Sequence, residues 1–126
     1  MKSGRFWSLW SPVFLYLVLI FTLSQMSRPP VPEAIPGNLL HYPEFAVLSL
    51  LLARALSAQM NGTRPAVIAG WTFFITVIVG ALDEFHQAFV PGRLPDVHDW
   101  FRDCVGTVLG ILVWGLWRWM RRSSSR

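Results

Sequence analysis

The chain has 126 residues, about the length of one domain, and 53% of them are hydrophobic whereas only 14% are charged. Soluble domains carry about a quarter charged residues, so this composition and a mean hydropathy of +0.43 indicate an integral membrane protein. The net charge of +4 comes from basic residues that flank apolar segments, which indicates a topology signal and no nucleic-acid surface, and the single cysteine, Cys104, excludes an intramolecular disulfide and any CxxC site.

Four mostly apolar segments are long enough to cross a bilayer as helices, which takes about 20 residues each. They span roughly residues 7–24, 39–56, 66–85 and 99–120. A proline-rich stretch, 28–37, predicts an extended outer loop, and 121–126 form a basic tail. The runs are continuous rather than alternating, so strands are not favoured. We therefore predict a single all-α domain, a four-transmembrane-helix bundle.

The charges predict how this bundle is oriented. With four spans, eight basic residues share one side: Lys2, Arg5, Arg54, Arg64, Arg118, Arg121, Arg122 and Arg126. The positive-inside rule makes that side, and with it both termini, cytoplasmic. All 7 acidic residues and all 3 histidines then fall on the external side. An alternative for the first segment is a signal peptide, because MKSGR is basic, although the cleavage pattern near Thr22 and Ser24 is weak.

The stretch DEFHQAFVPGR, residues 83–93, concentrates polar residues directly after an uncharged run. Asp83 and Glu84 lie at the C-terminal end of a predicted helix, where the helix dipole disfavours acids, so we expect a functional role for them. His86 and Gln87 follow within one helical turn. A proline and a glycine then end the helix and are expected to hold Arg93 near the acids.

Two further helix ends bring polar residues to the same external side. His41 and Glu44 lie three residues apart where the second helix begins. Asp99 and Asp103 lie four apart at the start of the fourth helix. The same face continues into a GxxxG pair, Gly106 and Gly110, and small residues let helices approach closely. Gly80, one turn below Glu84, is expected to serve the same purpose.

These residues resemble a motif of the VanZ-like family of small bacterial membrane proteins, approximately D-E-x-x-Q-x-x-x-P-G-R, five residues, D, three residues, D or N, two residues, G. The chain meets it without a gap at Asp83, Glu84, Gln87, Pro91, Gly92, Arg93, Asp99, Asp103 and Gly106. His41 and Glu44 match an upstream family motif, D-K-x-x-H-x-x-E-Y, with Phe45 in the aromatic place. Gly37 and Asn38 stand where Asp and Lys are usual. The resemblance implies a bacterial cell-envelope protein, since the family is named for a protein that lowers susceptibility to teicoplanin.

Two main hypotheses follow. In the first, the chain acts on or binds a lipid-linked cell-wall precursor, with Glu84, Asp83 and His86 as candidate catalytic residues. The candidate ligand-binding residues are His41, Glu44, Gln87, Arg93, Asp99 and Asp103. In the second, the chain is a non-catalytic membrane scaffold or binding protein whose polar cluster locks three helix ends together. A transporter subunit is disfavoured, because no acid lies at mid-membrane depth. No cofactor is predicted and no HExxH motif is present, although acids near histidines could hold Mg²⁺ or Ca²⁺.

Overall fold

The computed structural model describes residues 3–27, 30 and 32–124, and over these residues it contains helices and no strands. The elements are α1 (Ser3–Ser24), a short 3-10 helix (Gly37–Leu40), α2 (His41–Gln59), α3 (Pro65–Gln87) and α4 (Val97–Ser123). The predicted all-α class is therefore confirmed. Three residues that enter these predictions lie outside the described residues. They are Lys2 for the topology, Arg28 for the proline-rich loop and Arg126 for the basic tail.

Local sequence explains how α3 ends and α4 begins. The turn after α3 contains Pro91 and Gly92, and Gly92 has φ +79°, a conformation that suits glycine. Asp96 then caps α4, because its side chain accepts the backbone N–H of His98 at 2.9 Å. This hydrogen bond and a second one to the His98 ring lower the pKa of the Asp96 carboxyl. The connection is short, so the start of α4 lies beside the end of α3.

The most extensive helix contact joins α2 to α4. A Cβ added to Gly106 would lie 2.3 Å from the carbonyl oxygen of Tyr42, and one added to Gly110 would lie 2.1 Å from that of Ala46. No side chain fits at such distances, so the two backbones touch at these glycines. Close contact of this kind replaces the hydrophobic effect as the force between helices in lipid.

Helix α1 packs against α2 through the buried side chains of Val13 and Ile20. At the far end of this pair, Trp10 Nε1 donates to Gln59 Oε1 at 3.0 Å. Arg54 Nη2, on α2, also donates to the carbonyl oxygen of a residue in the first turns of α1, at 3.1 Å. The first segment therefore packs and forms hydrogen bonds with α2 as part of the bundle.

The surface of the bundle is strongly apolar. Leu15, Phe85 and Leu112 are exposed by 70%, 67% and 62%. Three helical segments, Ser3–Ser24, Gly37–Gln59 and Pro65–Gln87, are long and apolar enough to cross a membrane. A folded soluble protein would bury such side chains, so the surface fits a lipid environment.

Helix α4 is the longest, with 27 residues, but it does not meet the same criterion. Its uncharged part runs only over 104–117, between Asp103 and Arg118. At about 1.5 Å per residue this part covers roughly 21 Å, less than the ~30 Å of a hydrocarbon core. The sequence thus predicts four spans, and three of them have the expected length and composition.

We expect Gly110→Ala to destabilise the bundle by about 1–3 kcal/mol, since the added methyl group overlaps the α2 backbone. Gly115→Ala is the matched control, because a Cβ there meets nothing within 4 Å. The free energy of unfolding of both variants is measured in mixed detergent micelles. Equal stability of the two variants would show that α2 and α4 do not touch at Gly110.

Candidate functional site

Polar side chains from α2 and α4 meet where α2 begins. His41 is buried, and its Nδ1 lies 2.7 Å from Oδ1 of Asp103, which has no exposed surface. The other ring nitrogen, Nε2, lies 3.6 Å from Oδ2 of Asp99, too far for a hydrogen bond. Oδ1 of Asp99 accepts from Arg102 instead. Three predicted ligand-binding residues, His41, Asp99 and Asp103, therefore lie together.

Asp83 lies in a second polar cluster, between α1 and α3. The hydroxyl of Ser24 is 2.6 Å from each oxygen of Asp83. Gln87 Nε2 donates to Asp83 Oδ2 and to Ser24 Oγ, both at 3.2 Å. All three side chains are buried. The Asp83 carboxylate thus has its hydrogen-bond donors within the protein, and the cluster connects the end of α1 to the end of α3.

Glu84 points from α3 toward the start of α4. Its Oε2 accepts the backbone N–H of Asp96 at 2.9 Å, whereas its Oε1 is buried and has no hydrogen-bond partner. One ligand atom from each of His41, Glu84 and Asp99 lies within 4.8 Å of the other two. The three side chains come from three different helices and are the kinds of group that bind metal ions. They could therefore hold a cation together.

Two predicted site residues lie apart from these contacts. The His86 ring packs against Phe21, with 5.9 Å between ring centroids, and its buried Nδ1 has no hydrogen-bond partner. Arg93 is half-buried and donates to the carbonyl oxygen of Met26 at 3.4 Å. Within the described part of the chain, Arg93 forms no ion pair with the neighbouring acids. The turn that contains Gly92 directs this arginine toward the end of α1 and not toward Asp83 or Glu84.

A cavity of about 560 Å³ lies beside these clusters, between α1, the start of α2 and the α3–α4 connection. Its polar lining includes His41, Glu44, Gln87, Arg93 and Asp99. Its apolar lining includes Tyr16, Leu19, Leu23 and Val47. The cavity therefore has a polar end at the helix tips and an apolar flank along α1 and α2. We call it the amphiphilic pocket.

A family model described as VanZ/LLP1 matches residues 3–118 of the chain. The chain belongs to the VanZ/LLP1 family. The match covers α1 to α3 and most of α4, including every predicted site residue. The resemblance seen in the sequence is therefore confirmed. No curated protein and no solved structure matches the chain.

In this VanZ/LLP1 chain, the three glycines predicted to pack helices all lie at close approaches. Gly106 and Gly110 face α2, as described above. A Cβ on Gly80 would lie 3.0 Å from Oδ2 of Asp103, an oxygen that is buried without a hydrogen-bond partner. Gly80 thus leaves room on α3 for a carboxylate carried by α4. The glycines and the acids of the motif therefore occupy the same helix faces.

Two residues at the site have no counterpart in the sequence predictions. Ser24, which the sequence marked only as a weak cleavage position, contacts Asp83. Trp100 Nε1 donates to the carbonyl oxygen of Val77 at 3.1 Å and so fixes the start of α4 against α3. A serine at the end of an apolar span is an available signal, because serine hydroxyls form hydrogen bonds between transmembrane helices.

We expect His41→Ala to lower the free energy of unfolding by about 3–5 kcal/mol, because it leaves the buried Asp103 carboxylate without its partner. In an Asp103→Asn background the same change no longer leaves a fully buried carboxylate without its partner, so the loss is smaller. The exposed pair His98–Asp96 supplies the control, and His98→Ala costs less than about 1 kcal/mol. The free energies of unfolding of the wild type, the two single variants and the double variant, measured in mixed micelles, give the coupling energy between His41 and Asp103. Identical losses in both backgrounds would contradict a His41–Asp103 interaction.

Proposed function

We propose that this chain is a four-span protein of the bacterial cell membrane, and that its amphiphilic pocket binds the headgroup of an envelope lipid or of a lipid-linked cell-wall precursor. Both termini are in the cytoplasm, and the pocket opens at the external face. The observation that carries the proposal is the lining of the pocket, which is polar at the helix tips and apolar along α1 and α2. A lipid has the same division between its headgroup and its chains.

The orientation rests on where the basic and aromatic residues lie. Arg118 and Arg121 place their guanidinium groups 5.7 Å and 4.5 Å from the ring centroids of Trp114 and Trp117. Long basic side chains next to tryptophans are typical of the membrane interface. Such side chains extend to the interface from within the apolar region, which lets α4 serve as a span although its uncharged part is short.

The chemistry of the pocket favours a headgroup with both an anionic and a hydrogen-donating part. Arg93 carries five N–H donors and uses one for a long contact with Met26, so its guanidinium can bind a phosphate. Glu44 and Asp99 line the same pocket and accept hydrogen bonds from hydroxyl or amine groups. A phosphate esterified to a sugar or to an amino alcohol offers an anion to the guanidinium and hydrogen-bond donors to the two carboxylates. If the ligand is a cell-wall precursor, the protein affects teicoplanin susceptibility through the pool of that precursor.

A second candidate function is a scaffold that holds neighbouring proteins without binding a lipid. The cluster of Ser24, Asp83 and Gln87 favours it, because these buried groups are hydrogen-bonded to one another, as in a structural lock. The catalytic roles of Glu84, Asp83 and His86 stay predictions under both functions.

We expect a photoreactive residue at position Leu19, in the apolar lining of the pocket, to cross-link one class of phosphate-bearing lipid above its abundance in the membrane. Leu112, exposed on α4 and not part of the pocket lining, is the matched control, and its adducts should reflect the bulk lipid composition. Arg93→Gln should remove the enrichment at Leu19, since the phosphate loses its cation. Mass spectrometry of the adducts provides the readout. Identical adducts at both positions would favour the scaffold.

Topology is tested by single cysteines in a Cys104→Ala background. We expect Ser27→Cys to react with a membrane-impermeant thiol reagent in intact cells, because the end of α1 lies at the external face. Ser124→Cys, at the end of α4, should react only after the membrane is opened. Labelling of both cysteines in intact cells would contradict an even number of spans with cytoplasmic termini.

A further inference from the structure

Three side chains at the polar end of the bundle share one property: each has one polar atom held by a neighbour and another without a hydrogen bond. His41 is held at Nδ1 by Asp103. Asp99 is held at Oδ1 by Arg102. Glu84 is held at Oε2 by the backbone N–H of Asp96. The atoms without a hydrogen bond are Nε2 of His41, Oδ2 of Asp99 and Oε1 of Glu84, and the first two lie 3.6 Å apart, at ion-pair distance.

The three side chains also bring potential ligand atoms close together, and two of the side chains are buried. His41 and Glu84 are only 7% and 8% exposed, and Oε1 of Glu84 is buried with no hydrogen-bond partner. The ligand atoms of the three residues fall within 4.8 Å of one another. A buried carboxylate oxygen without a donor is costly unless something positive binds it. A bound cation would remove this cost, and Arg102, which donates to Asp99, forms no hydrogen bond with Oε1 of Glu84.

The spacing of one pair of atoms, from His41 and Asp99, is close to that of two ligands on one metal ion. Two ligand atoms bound at about 2.1 Å to one ion are roughly 3.0–3.4 Å apart, in octahedral or tetrahedral geometry. Nε2 of His41 and Oδ2 of Asp99 are 3.6 Å apart, slightly more than this and too far for a direct hydrogen bond. A shift of a few tenths of an ångström brings both atoms onto one ion.

We propose that His41, Glu84 and Asp99 bind one divalent transition-metal ion, with a remaining coordination position open to the amphiphilic pocket. His41 and Asp99 both line that pocket, so a bound ligand reaches the ion directly. One imidazole and two carboxylates form a neutral unit with a divalent cation, which suits a buried location. Three protein ligands with an open position are typical of ions that act on a substrate.

The imidazole decides which ion binds best. Magnesium and calcium prefer sites made only of oxygen, whereas zinc and manganese accept a nitrogen beside carboxylates. Affinity for such a mixed set rises from manganese to zinc. We therefore expect Zn²⁺ to bind more tightly than Mn²⁺, and Mg²⁺ to bind least.

Asp103 has a positioning role in this site. When its carboxylate accepts the N–H of His41 Nδ1, the neutral ring keeps its lone pair on Nε2. A carboxylate behind a histidine ligand orients the ring and raises its basicity, and losing such a carboxylate lowers metal affinity about 10–100-fold. Gly80 provides the space for Asp103, so the motif glycine on α3 also contributes to the site. The metal site stands independently of the lipid proposal.

The experiment uses the full chain, purified in detergent and treated with a chelator. We expect it to take up one Zn²⁺ per chain by elemental analysis, and its unfolding temperature to rise with Zn²⁺ but not with Mg²⁺. Co²⁺ should give visible absorption bands, because ligation by nitrogen and carboxylate oxygen changes the spectrum of the aqueous ion. Asp99→Asn should weaken Zn²⁺ binding at least about 10-fold, and Asp103→Asn by about 10–100-fold.

His98→Ala is the matched control, because it removes a histidine at the same end of the bundle whose carboxylate partner, Asp96, is exposed. It should leave Zn²⁺ binding unchanged. Stoichiometric uptake that Asp99→Asn does not reduce, or that His98→Ala abolishes, would overturn the assignment. If Asp99→Asn does not fold, the metal uptake of the wild-type chain still tests the site. No uptake of Zn²⁺ and no new Co²⁺ bands would refute the site, whatever lipid the cross-linking at Leu19 identifies.

Discussion

The backbone contact between α2 and α4 is the constraint on which the rest of the site depends. Gly106 and Gly110 let α4 approach the carbonyl groups of Tyr42 and Ala46. That approach fixes the position of α4 along α2, and it places the first turn of α4 beside His41, where α2 begins. A larger residue on α4 would separate the helices, and the acids one and two turns before the glycines would move away from the histidine. In this chain the packing motif and the polar motif are parts of one geometric arrangement.

The acids of the site differ in how the protein stabilises them. Asp83 receives hydrogen bonds from Ser24 and Gln87. Asp103 has the His41 ring at one oxygen, whereas its other oxygen packs over Gly80 without a hydrogen-bond partner. The hydrogen bonds of these two carboxylates join α1 to α3 and α2 to α4. Glu84 has a buried oxygen without a hydrogen-bond partner, and Asp99 pairs with Arg102 through one oxygen and faces His41 at 3.6 Å with the other. Similar residues in one motif thus differ in their contacts according to their neighbours.

The sequence predicts the helices because bilayer-length apolar runs leave little choice of structure, and it predicts the packing face of α4 because GxxxG is a local pattern. It does not predict that His41 pairs with Asp103 and not with Glu44 on its own helix. That pairing depends on the axial position of α4 against α2, which no helical periodicity encodes. The direction of Arg93 depends in the same way on the positive φ of Gly92, since the turn decides which neighbour the guanidinium faces. A serine at the end of an apolar span indicates a hydrogen bond between helices, but the sequence does not show that Asp83 is the partner of Ser24.

The walls of the amphiphilic pocket have a further consequence. Leu19 and Val47 line it, yet they are 47% and 40% exposed at the apolar surface of the bundle. The apolar flank of the pocket is thus open at the side of the bundle. If the proposed lipid binds there, it enters by lateral diffusion in the bilayer, without crossing the aqueous phase. Occupancy then follows the mole fraction of that lipid in the leaflet and is insensitive to its monomer concentration in water.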